Sequence, residues 1–121
     1  MAEVEGTDEF AAWFGALTEA EQDSVAMVVD LLETRGVRLG HPYSSQVKGA
    51  RKHKHMRELR IQHGGHPLRV LYAFDPRRVA ILLIGGDKKG DEKRFYEVIV
   101  PKAEAIYDAY LEELQNEGRT G

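Results

Sequence analysis

Two segments of alternating side chains, joined by a pair of glycines, constrain this chain more than any other feature. Residues 57–63 and 67–74 each repeat with a period of two, which is the spacing of a β-strand with one buried face. Gly64 and Gly65 separate the segments, and adjacent glycines favour a tight hairpin turn because they adopt positive φ angles without strain. The sequence therefore predicts an antiparallel hairpin centred on these two glycines.

The register of this hairpin sets apolar residues against each other on one face and arginines on the other. Leu59 faces Val70, and this apolar pair supports the register. Arg60 directly faces Arg69 on the second face, which we expect to be open and solvated. Like charges directly opposite each other are unfavourable by up to about 1 kcal/mol, so an anion is expected between them. Two anions remain candidates: the carboxylate of Glu58 on the same face, and a ligand phosphate, which suits the planar guanidinium fork.

Helical spacing of apolar residues predicts three helices, over residues 10–17, 18–35 and 95–114. Thr7 or Asp8 is the predicted N-cap of the first helix. Thr18 is the predicted N-cap of the second helix, as part of a capping box. Gly36 is placed to end the second helix, and Pro101 is a candidate interruption of the third.

The remaining segments predict one further strand and two basic loops. Residues 79–84 are wholly apolar, which predicts a central strand covered on both sides, reached through a turn at residues 75–78. We expect polar loops at residues 37–56 and 85–90, and a short strand near Val4 is left open.

Length and composition favour one globular domain. A chain of 121 residues has the size of a single domain, and its 42% hydrophobic and 31% charged residues exclude a disordered or fibrous protein. We expect residues 1–121 to form one α+β domain. In it, two N-terminal helices pack on a small antiparallel sheet of three to four strands, with a C-terminal helix.

The chain has no cysteine, which excludes a disulfide scaffold, a thiolate metal site and a cysteine nucleophile, and which suits the reducing cytoplasm. No apolar run reaches the roughly 18 residues of a membrane span. The acidic N-terminus lacks the basic and apolar parts of a secretory signal. We therefore expect a cytoplasmic protein with no membrane partner.

Charge is distributed unevenly along the chain. Residues 1–34 carry nine acidic side chains and no lysine or arginine, whereas residues 35–94 carry fifteen basic side chains against five acids. A basic region of this kind steers a polyanion to one face. The alternative, that acidic helices only neutralise a basic sheet, remains open at this point.

Two basic segments, at residues 48–57 and 85–94, supply further candidate phosphate contacts. These candidates are Lys48, Arg51, Lys52, Lys54, Arg57, Lys89 and Arg94. Tyr96 stands beside lysines near a helix start, where a lowered pKa would let it transfer protons; the alternative is a core or rim aromatic. His53 and His55 lie in a loop with no carboxylate cluster nearby, so we expect neither a metal site nor a cofactor.

Three runs resemble the HigB-like (phage Gp49-like) branch of the RelE/ParE toxins. They are R-E-L-R at 57–60, G-G-H-P-L-R-V-L-Y-A-F-D at 64–75 and L-L-I-G-G-D-K at 82–88. The likeness extends through residues 95–97 and back to residues 9–13, and so covers most of the chain. The family fold, a RelE-like α+β unit with N-terminal helices on an antiparallel sheet, agrees with the elements predicted above.

The resemblance implies a type II toxin that acts as a ribosome-dependent, metal-independent endoribonuclease. In this family the 2′-hydroxyl attacks the adjacent phosphate of messenger RNA, and the expected partners are a cognate antitoxin, the ribosome and mRNA. The catalytic residues implied by the match are Arg60, Arg69, Lys88, Tyr96 and Glu58, with the seven basic residues named above as RNA contacts. Arg69 matches the arginine that contacts the scissile phosphate. Glu58 departs from the RelE pattern, which has lysine there, so either Glu58 or Tyr96 is the candidate general base.

Two other functions stay open. One is a ParE-like inhibitor that binds gyrase and cleaves nothing, and the other is an inactive member that only binds RNA or its antitoxin. Fold alone does not decide between these functions. Convergence of Arg60, Arg69 and Lys88 on one face would favour the nuclease, since a gyrase inhibitor has no need of it.

Overall fold

The computed structural model describes residues 1–120, with side chains described for residues 1–118. The elements are β1 (Val4–Gly6), α1 (Asp8–Gly15), α2 (Glu19–Arg35), a 3-10 helix (Gly36–Arg38), β2 (Ser44–Gln46), β3 (Arg57–His63), β4 (His66–Phe74), β5 (Ala80–Asp87) and α3 (Glu92–Thr120). None of the helices in this described part of the chain is long and apolar enough to span a membrane.

The strands form one sheet in the order β1-β5-β4-β3-β2. The α+β class is confirmed, but the sheet has five strands rather than three to four, and it is mixed because β1 runs parallel to β5. The strand left open near Val4 is β1, and β2 lies within the segment predicted as loop. Both strands have three residues, which is too short to show a period of two.

The central hairpin has the predicted register. Leu59 pairs with Val70 and Arg60 pairs with Arg69. Gly64 and Gly65 have φ angles of 52° and 82°, so the turn requires the left-handed conformation that glycine adopts at little cost.

Helix ends follow the predicted caps. The Thr7 hydroxyl accepts a hydrogen bond from the Phe10 N–H, and Thr18 and Glu21 form a reciprocal capping box. Gly36 ends α2 with a φ of 57°. The predicted interruption at Pro101 does not occur, since α3 continues through this exposed position.

Helices cover both faces of the sheet. α1 and α2 pack on the face that carries Leu59 and Val70. α3 packs on the other face, against Leu71 and Leu83. The face that holds Arg60 and Arg69 is therefore the one partly covered by α3.

The glycines predicted to begin a polar loop instead continue β5, because pairing with β4 extends to Asp87. A Cβ added at Gly85 would lie 2.3 Å from the Trp13 ring, and one added at Gly86 would lie 2.7 Å from the Phe95 ring. These positions are glycine because aromatic side chains from both helical layers press directly on the strand.

We expect Gly85→Ala to lower the free energy of unfolding by about 1–3 kcal/mol, the usual cost of forcing an extra methyl group into a packed site. Urea denaturation measures this change in the free energy of unfolding. Gly15→Ala is the matched control, since a Cβ there meets nothing within 4 Å, and its expected change is neutral or slightly stabilising. Equal stability of the Gly85 variant and the wild type would contradict the close packing described above.

Candidate functional site

A cleft of about 270 Å³ opens where β2 and β3 meet the start of α3. Each of its lining residues carries a polar or charged group. The lining residues are Ser45, Gln46, Lys48, Glu58, Arg60, Lys88, Glu92 and Tyr96. Four of the five catalytic candidates, all but Arg69, therefore border one cavity.

A buried carboxylate forms the floor of the cleft. Glu58 is 4% exposed. The Tyr96 hydroxyl donates to the Glu58 carboxylate, in a short hydrogen bond to Oε1 and at 2.8 Å from Oε2. Arg69 Nε lies 3.4 Å from Glu58 Oε1, an ion pair that lacks hydrogen-bond geometry. The sequence left two candidate anions for the arginine pair, the Glu58 carboxylate and a ligand phosphate. The Glu58 carboxylate is already next to Arg69 in the protein alone.

Arg69 lies behind the cleft rather than in it. It is 5% exposed, and its Nη1 donates to the Leu68 carbonyl at 3.0 Å. The expectation of an open, solvated face is wrong for this arginine. Arg69 pairs with Gly86 on β5, and Phe95 of α3 packs on that glycine, so the helix covers this part of the sheet.

Arg60 is the arginine that reaches the cavity. It is half-buried and lines the cleft. Within the described side chains, its guanidinium makes no hydrogen bond or ion pair. Arg60 is thus a cation available to an incoming anion, whereas Arg69 is already committed to Glu58.

Lys88 stands at the rim and already has an acidic neighbour. Its Nζ lies 2.9 Å from Glu92 Oε1 and 5.9 Å from the centre of the Tyr96 ring. The hydrogen bond and charge of Lys88 lower the pKa of Glu92, and the charges of Arg69 and Arg60 make a smaller contribution. Glu92 escaped the sequence analysis because Lys88 precedes α3, so the spacing rule for ion pairs within one helix gives no signal for this pair.

Burial raises the pKa of Tyr96 well above its ordinary value, and the hydrogen bond to Glu58 raises it further. The lowered pKa considered for this tyrosine is therefore wrong. Lys88 is near the ring, but the carboxylate beside the hydroxyl disfavours the phenolate. Tyr96 is a neutral hydrogen-bond donor in this site.

The basic loop that precedes β3 is tied to α3. The Glu104 carboxylate accepts backbone N–H groups from Lys52 at 2.7 Å and His53 at 2.8 Å. Burial opposes its ionisation, but these bonds outweigh burial and keep the pKa of Glu104 below its ordinary value. Lys52 Nζ also pairs with Asp108 at 2.8 Å. The loop therefore has a defined position beside the helix.

The other candidate RNA contacts are dispersed. Of the seven, only Lys48 lines the cleft. Arg57 lies on the opposite face of β3, where its Nε donates to Ser44 Oγ at 3.1 Å. The remaining exposed candidates, outside the cleft lining, are Arg51, Lys52, Lys54, Lys89 and Arg94. The sequence analysis missed Ser45 and Gln46, since the three-residue strand that carries them left no periodic signal.

Within the part of the chain that the structure describes, no group of three or more His, Cys, Asp or Glu side chains is arranged to hold a metal ion. His53 instead bonds Asp108 through Nε2 at 2.7 Å.

The helices on both faces of a small mixed sheet place this chain in the α+β class, with a cleft that holds three cationic side chains at the start of the last helix. Residues 12–108 match the family described as "Phage derived protein Gp49-like (DUF891)". A Mycobacterium tuberculosis protein named "Putative toxin HigB3" is 46% identical over 99 residues, covering 82% of this chain and 84% of that protein. A second protein of that organism, "Putative toxin HigB2", is 33% identical over 110 residues, which are 90% of this chain and 54% of that protein. The chain therefore belongs to the Gp49-like family, as a HigB-like toxin of the RelE superfamily and of a toxin–antitoxin system.

Proposed function

We propose that this toxin is a ribosome-dependent endoribonuclease that cleaves messenger RNA without a metal ion. The observation that carries the proposal is that the Glu58 carboxylate and the unpaired Arg60 guanidinium line the same cleft. A base and a cation side by side suit transfer of a phosphodiester, where a proton must leave as negative charge develops on phosphate.

The reaction is an internal displacement. The 2′-oxygen of one nucleotide forms a bond to the adjacent phosphorus while the bond from phosphorus to the 5′-oxygen breaks. The 2′-hydroxyl proton passes to a base, and the departing 5′-oxygen takes up a proton. The products are a 2′,3′-cyclic phosphate and a 5′-hydroxyl end.

Glu58 is the base in this proposal, and Tyr96 orients it. The raised pKa of Tyr96 keeps the phenol protonated, so it holds the carboxylate in place instead of accepting a proton. Arg60 stabilises the charge on phosphate, and Lys88 supplies the cationic donor for the leaving oxygen. Arg69 touches Glu58 and the backbone, so it acts as a positioning residue.

The proposed macromolecular partners are the ribosome with its mRNA, and a cognate antitoxin. The basic residues concentrated between positions 35 and 94 suit binding to the ribosome, which is a crowded polyanion. Binding of this kind weakens as salt concentration rises.

Mapping RNA 5′ ends after induction in cells that lack the antitoxin tests the proposal. We expect new 5′-hydroxyl ends within translated codons, and we expect them to disappear when translation initiation is blocked. Gyrase inhibition without new RNA ends would replace the proposal with the ParE-like function. Growth inhibition with neither effect would leave a protein that only binds.

Cleavage is expected to be insensitive to chelation of trace metals. In a reaction on purified ribosomes, EDTA is added while free Mg²⁺ is held constant for the ribosome, and the rate of mRNA cleavage is measured. The expected result is an unchanged rate, because protein side chains supply the base and the cations. Loss of cleavage that one added transition metal restores, together with loss in His53→Ala, would contradict it.

A further inference from the structure

The carboxylate of Glu92 lies in the cleft, where it would repel an RNA phosphate unless it moved away. The cleft contains three cations, Lys48, Arg60 and Lys88, yet the carboxylate of Glu92 also lines it. Glu92 Oε1 lies 2.9 Å from Lys88 Nζ. A carboxylate at this distance resembles the oxygen of a bound phosphate in both charge and hydrogen bonding.

The two partners of this pair differ in their freedom to move. The Lys88 side chain is 15% exposed, and its ammonium lies 5.9 Å from the centre of the Tyr96 ring, so it is held against the cleft wall. The Glu92 side chain is 65% exposed and lies in the first turn of α3. Glu92 can therefore rotate into solvent while Lys88 stays in place.

We propose that Lys88, Arg60 and Lys48 form a subsite for one RNA phosphodiester, and that Glu92 closes this subsite in the free protein by standing in for the phosphate. The inference rests on the proposed function for the identity of the anion. Glu92 acts as an internal competitor: RNA binds by displacing its carboxylate from Lys88. The pKa of Glu92 is lowered mainly by the hydrogen bond and charge of Lys88, which agrees with this position.

The chain contains a matched control for this inference. Lys93 and Glu97 form an ion pair within α3, with Nζ and Oε1 3.9 Å apart, and neither residue lines the cleft. Glu97→Gln changes the net charge by the same amount as Glu92→Gln. A general electrostatic effect would therefore appear equally in both variants.

The test measures binding of a single-stranded DNA oligonucleotide, which lacks the attacking 2′-hydroxyl and is not cleaved, by fluorescence anisotropy at low salt. We expect Glu92→Gln to bind about three- to tenfold more tightly than wild type, the effect of removing one screened charge at contact distance. Glu97→Gln should change affinity by less than about twofold, and Glu92→Asp, which keeps the charge, should stay near wild type. Equal tightening in the Gln variants, or none in Glu92→Gln, would overturn the inference. Since the probe cannot be cleaved, tighter binding with no RNA cuts in cells would overturn the nuclease function alone.

Discussion

Arg60→Ala is expected to reduce mRNA cleavage by about two to three orders of magnitude, the usual loss when one group that stabilises transition-state charge is removed. Among the described residues its guanidinium makes no hydrogen bond and no ion pair, and its removal relieves repulsion with the facing Arg69. The free energy of unfolding should therefore change by less than about 1 kcal/mol. Growth inhibition on induction and the cleavage rate on ribosomes measure the first effect, and urea denaturation measures the second.

Arg38→Ala is the control for this substitution. Arg38 is exposed in the 3-10 helix that follows α2, and it does not line the cleft. The Arg38→Ala variant should have the toxicity and the free energy of unfolding of the wild type. Undiminished toxicity of Arg60→Ala at equal expression would remove Arg60 from the proposed mechanism.

Arg69→Met is expected to destabilise the protein by about 3–5 kcal/mol, because it leaves the Glu58 carboxylate buried without its positive partner. This outcome follows from burial: Arg69 is 5% exposed and its partner 4% exposed. An exposed arginine in the same position would be replaceable at little cost in stability. Loss of toxicity on changing Arg69 would therefore not by itself identify a phosphate contact.

A double substitution separates the charge from the packing. Arg69→Met combined with Glu58→Gln removes both charges and keeps similar side-chain volumes. It should therefore recover much of the stability lost in Arg69→Met alone. Urea midpoints of the two single variants, the double variant and the wild type complete the cycle. If Arg69→Met unfolds at the wild-type urea concentration, the buried ion pair does not contribute as described.

Local signals in the sequence determined the hairpin and the helix starts. The Gly64-Gly65 turn and a period of two set the register that opposes Arg60 to Arg69, because a shift of one residue would move every apolar side chain to the wrong face. The capping box at Thr18 marks the start of α2, since its hydrogen bonds join residues three apart. In each case the interacting residues lie close together in the chain, so the pattern is visible without the fold.

Only the tertiary structure decided which of these residues can act. α3 begins after the hairpin and packs back over it, so Phe95 covers the glycine beside Arg69 and Tyr96 reaches the carboxylate of Glu58. That packing buries Arg69, leaves Arg60 in the cleft, and sets the direction of the Tyr96 pKa. Burial and the electrostatics that follow from it depend on contacts such as the one from Tyr96 to Glu58, between residues far apart in sequence. The apolar period of a strand and the cap of a helix report only on residues that are near each other in the chain, so they carry no information about these distant contacts.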